Sequence, residues 1–63
     1  MLEQALMAEQ FQSLLEKERQ AACTYASLAD KVSDPQLRAK IEQLCHDKEK
    51  HVRLAERLLE IVE

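Results

Sequence analysis

The strongest constraint on this chain is the placement of its helix breakers. It has no glycine and a single proline, Pro35, which follows Ser33 and Asp34 near mid-chain. Proline is well placed at the first position of a helix, where its missing N–H costs nothing, and an aspartate just before it can accept from the free N–H groups of the first turn. One break therefore divides the chain into two arms. The first is expected to be helical over about residues 2–32 and the second over about 35–62, each roughly 42 to 45 Å long, with a turn at 33–34. Arms of near-equal length joined by so short a turn fold back on each other, so residues 1–63 are expected to form one antiparallel two-helix hairpin. The dominance of Ala, Leu, Glu, Gln, Lys and Arg is the usage of long helices, which places the chain in the all-α class.

Apolar spacing supports the same reading and extends it. With alternating steps of three and four residues, the first arm carries the seam Met7, Phe11, Leu14, Glu18, Ala21, Tyr25, Leu28 and Val32. The second carries Leu37, Ile41, Leu44, Lys48, His51, Ala55, Leu58 and Val62. A flanking row of Ala8, Leu15, Ala22 and Ala29, matched by Cys45, Val52 and Leu59, makes each stripe wider than a two-stranded seam. A hairpin offers each helix one neighbour, and a lone core of this size rarely supplies more than about 3 to 5 kcal/mol. The expectation is a homodimer, two hairpins forming a four-helix bundle. Its core is expected to draw on Met7, Phe11, Leu14, Leu15, Ala21, Leu28, Ile41, Leu44, Val52, Ala55, Leu58 and Leu59.

The formal charge of −3, with both signs interspersed, gives neither a nucleic-acid footprint nor a patch for anionic membranes. No apolar run approaches the roughly 18 residues of a spanning helix, and the first residues lack a signal-peptide layout, so a cytoplasmic protein is expected. No glycine-rich phosphate loop or glycine-flanked serine is present, so no common enzyme motif is carried. Cys23 falls on the outward side of the first arm and Cys45 on the flanking row of the second. Their side chains should diverge, leaving two reduced thiols.

Three polar residues interrupt the seams: Glu18, Lys48 and His51. If the turn is centred near Asp34, residues whose numbers sum to about 67 or 68 lie level, which gathers all three into one layer. A two-fold dimer would bring two such layers together, and buried charges are costly unless paired. Each residue also has an ordinary reading. Glu18 would be a helix acid paired with a lysine one turn away, Lys48 would lay its methylenes on the seam, His51 would bond a carbonyl or carboxylate, and Tyr25 would be a packed aromatic.

Glu18 followed by Tyr25, the turn Asp34-Pro35-Gln36-Leu37-Arg38, and the run Asp47-Lys48-Glu49-Lys50-His51 together resemble the half-bundle of ferritin-like and rubrerythrin-like proteins, over roughly residues 11–59. The resemblance implies that two halves hold a di-iron or di-manganese centre, each giving one Glu from its first helix and a Glu-x-x-His pair from its second. It carries over as metal ligands only to Glu18 and His51. Three residues before His51 the family has Glu and this chain has Lys48, and neither Asp47 nor Glu49 occupies that helical position. Two Glu18 and two Lys48 balance without any metal, so the preferred expectation is a non-enzymatic bundle with no cofactor, in which Glu18, Lys48, His51 and Tyr25 form a buried polar network. One alternative is iron, manganese or zinc held by two Glu18 and two His51 across the dimer, with an oxidase-like centre as its enzymatic form. Another is a helical adaptor that presents its apolar face to a different protein.

Overall fold

Asp34 and Pro35 act locally as their chemistry requires. The Asp34 backbone is extended, with φ −68° and ψ 118°, and its side chain accepts from the Gln36 N–H at 3.0 Å. Arg38 N–H donates to the Asp34 carbonyl at 2.9 Å, closing the first helical turn. Such a cap is worth about 1 kcal/mol. The computed structural model describes residues 2–63, which form α1 (Leu2–Lys31) and α2 (Pro35–Val62) with no strand among them. α1 stops one residue before the expected boundary, where Val32 N–H bonds Ala29 O at 3.4 Å in a tightened last turn. Lys31 lies in that turn, where a cation complements the helix dipole.

The two helices run antiparallel in a rod whose Cα extents are 51 × 13 × 10 Å. At its open end the Gln4 side-chain amide donates to Val62 O at 2.6 Å. The buried residues are Leu15 and Ala29 from α1 and Ile41 and Ala55 from α2. They belong to two rows with seven-residue spacing, Leu15-Ala22-Ala29 on one helix and Ile41-Lys48-Ala55 on the other. At matching levels these give three rungs, and each sets an alanine against a longer side chain. That pairing lets two helices approach closely without leaving a void.

The inward row of α1 is thus the flanking row, not the seam. Phe11, Glu18 and Tyr25 are half-covered beside it, while the outer members Met7, Leu14 and Leu28 stay exposed. On α2, Leu37 and Leu44 are exposed in the same way, and all five large side chains keep between 42 and 49% of their surface in water. Of the remaining residues expected in a bundle core, Ala21, Val52, Leu58 and Leu59 are half-buried in the hairpin. Both exposed rows lie on one side. Glu18 reaches His51 and Lys48 along this edge, whereas Arg19 meets Glu56 and Cys45 meets Ala22 along the opposite edge. On a helix with about 100° per residue, Leu14 and Ala21 follow Glu18 outward, and Leu44 shares the row of His51. Among the described residues, no helix is long and apolar enough to cross a membrane.

Candidate functional site

The polar layer sits at the midpoint of both helices. Glu18 comes from the half-covered row of α1, Lys48 from the central place of α2's innermost row, and His51 from one turn further along α2. Lys48 is level with Ala22, whose small side chain leaves room between the helices for a long one. Its Nζ lies 3.3 Å from Glu18 Oε2, and His51 Nδ1 lies 3.4 Å from the same oxygen. Side-chain exposure rises from 16% at Glu18 through 29% at Lys48 to 54% at His51. The carboxylate is therefore the enclosed member, and the imidazole faces out onto the apolar side of the hairpin.

The Lys48 ammonium and the His51 imidazole both stand within 3.5 Å of Glu18 Oε2, yet this buried oxygen accepts no hydrogen bond from any described residue. Attraction between charges falls off gently with distance, whereas a hydrogen bond also needs direction. A buried acceptor left without a donor costs about 1 to 3 kcal/mol. Tyr25 lies one heptad beyond Glu18, about 10 Å along the axis. It is half-buried and makes no hydrogen bond to the layer, so three of the four expected members come together.

The described residues hold no group of three or more His, Cys, Asp or Glu side chains placed to share an ion. The carboxylates beside Lys48 are engaged elsewhere: Asp47 accepts from the Gln43 amide at 3.1 Å, and Glu49 faces Cys45 at 3.3 Å and His46 at 3.9 Å. At Glu18 the Lys48 ammonium occupies cation-binding distance, where a metal would have to displace it.

The two cysteines are free and unlike each other. Cys23 is exposed, while half-buried Cys45 lies on the edge away from the polar layer, with its thiol 3.6 Å from the Ala22 carbonyl and 3.3 Å from the Glu49 carboxylate. Burial pushes the Cys45 thiol up, and the hydrogen bond to Glu49 and its negative charge add to the effect. The four-residue spacing of Cys45 and Glu49 on a helix was the sequence signal for this contact. A raised pKa means less thiolate at a given pH, so at pH 8 an alkylating reagent is expected to modify Cys23 several-fold faster than Cys45. Peptide mapping of a time course measures this, and equal rates would remove the proposed protection.

Comparison of the chain with family models, with curated proteins and with solved structures finds no match to any of them.

Proposed function

We propose that this protein works as a homodimeric four-helix bundle of ferritin-like type, with a structural or interaction role and a metal-free core layer of Glu18, Lys48 and His51. The observation that carries this reading is the apolar face on which Met7, Leu14, Leu28, Leu37 and Leu44 are left exposed, with the under-satisfied Glu18 carboxylate at its centre; Leu2, Leu6, Leu54 and Ile61 are exposed as well. Exposed apolar area collected on one side of a molecule marks an interaction surface. A hairpin face with a Cα footprint of 51 × 13 Å is of the size that one partner gives to a standard interface, about 800 Å². The two free thiols suit a reducing, cytoplasmic setting.

Charge supports the metal-free reading of the layer over the metal-bound one. In the dimer, two Glu18 carboxylates meet two Lys48 ammonium groups, so the layer is neutral before any ion enters. Two Glu18 and two His51 remain as an N2O2 set for iron, manganese or zinc, but a divalent ion there would sit beside two ammonium charges. Light scattering on protein separated by size, at micromolar concentration, is expected to give twice the 7.3 kDa chain mass. Elemental analysis of untagged protein is expected to give less than one transition metal per dimer. A stable monomer would favour an adaptor that uses the same face on a different protein, and stoichiometric metal would establish the N2O2 centre.

A further inference from the structure

Two hairpins can pack face to face about two different two-fold axes, and the polar layer discriminates between them. Because Glu18 and Lys48 lie at mid-length in their helices, full overlap brings the two layers level in either arrangement. With the axis parallel to the helices, the turns lie at the same end and α1 of each chain packs on the partner's α2. With the axis perpendicular to the helices but within the interface, the turns lie at opposite ends and like helices pack together. Every neighbouring pair is antiparallel in both, so helix dipoles do not choose.

The order of charge around the four corners does choose. Turns together gives Glu18, Lys48, Glu18, Lys48 in alternation, with opposite charges on adjacent helices about 8 to 10 Å apart and like charges across the wider diagonal. Turns apart places Glu18 next to the partner's Glu18 and Lys48 next to the partner's Lys48. Inside a water-excluded bundle such contacts are screened far less than on the surface. Hydrogen bonding favours the same arrangement. Glu18 Oε2 is buried and takes no hydrogen bond from the described residues of its own hairpin, and only the alternating arrangement puts the partner's Lys48 and His51 on the helix directly opposite it.

We infer that the dimer forms with both turns at one end, each Glu18 facing the partner's Lys48 and His51 across the interface, so that this layer sets the orientation of association, and the two-fold axis parallel to the helices then holds the two layers level. This rests on the homodimer proposed above, and the test separates the two. A spin label is placed at Ser33→Cys in a chain carrying Cys23→Ser and Cys45→Ala, with helicity and mass checked on the same sample. Pulsed dipolar spectroscopy is expected to give a distance on the order of 20 to 25 Å between labels, as the spacing of helices in a bundle implies. A dimer with labels on the order of 50 Å apart, the length of the rod, would overturn the orientation while keeping the dimer. A monomeric mass with no dipolar signal overturns both. Glu63→Cys, at the open end, provides a second label site in case the turn does not tolerate the first, and the short distance is expected there too.

Discussion

Lys48→Glu is expected to lower the melting temperature of the metal-free protein by about 10 °C or more, and added Mn²⁺, Fe²⁺ or Zn²⁺ is expected to restore it. Removing one partner of a buried ion pair costs about 3 to 5 kcal/mol. With Lys48 and Glu18 retaining 29 and 16% exposure in the hairpin, a discounted figure of about 2 kcal/mol per chain is appropriate. Two chains carry the change, and each kcal/mol moves the melting point of a small domain by about 4 to 8 °C. The introduced carboxylate stands three residues before His51, so it shares a helix face with the imidazole, and Glu18 lies opposite both. Four carboxylates then repel until two divalent ions neutralise them, and the ions stabilise the folded dimer by mass action. Melting curves in chelator and in graded metal measure both parts, with the unmodified chain as the control that metal leaves unmoved. A variant that melts like the parent in chelator would sink the idea that the ammonium stands in for a metal.

Leu14→Glu or Leu44→Glu is expected to weaken self-association by 100-fold or more while leaving the helices formed. Each leucine is still 42 to 44% exposed in one hairpin, so a single chain loses little by the exchange. In a two-fold interface every substitution counts twice. Losing part of the burial of two leucines, at about 1.5 to 3 kcal/mol for a complete one, and desolvating two carboxylates together exceed the roughly 2.7 kcal/mol that a 100-fold change represents. Sedimentation equilibrium over a concentration series reads the shift from dimer to monomer. Arg19→Ala provides the contrast, since its ion pair with Glu56 is 3.7 Å long, half-exposed and on the other edge of the hairpin. A surface pair of that kind contributes at most about 1 kcal/mol, and its loss should leave association unchanged. An unchanged dimer mass for Leu14→Glu would move the interface away from this face.

The helices, their break and the level at which Glu18 meets Lys48 and His51 could all be read from local chemistry. A proline at the first helical position, an aspartate before it and the absence of glycine act within a turn of where they stand. Once the turn is placed, the rise per residue fixes which positions are level across the hairpin. The contact between Cys45 and Glu49 was equally accessible, as a four-residue spacing on a single helix.

Which row of α1 turns inward was not legible in this way. Met7, Leu14 and Leu28 are larger and more apolar than Ala22 and Ala29, so a ranking by hydrophobicity favours the seam for the interior. The folded hairpin instead buries Leu15 and Ala29 against Ile41 and Ala55, and leaves the seam's outer leucines in water. The rotation of a helix about its own axis is settled by how two surfaces fit, and alanines opposite longer side chains allow the closer approach. The same rotation enclosed the Glu18 carboxylate while turning His51 outward, a difference in burial that spacing alone does not distinguish. Periodicity identified a stripe wide enough for two contacts; only side-chain packing between the helices divided it into an inner row that holds the hairpin and an outer row left free.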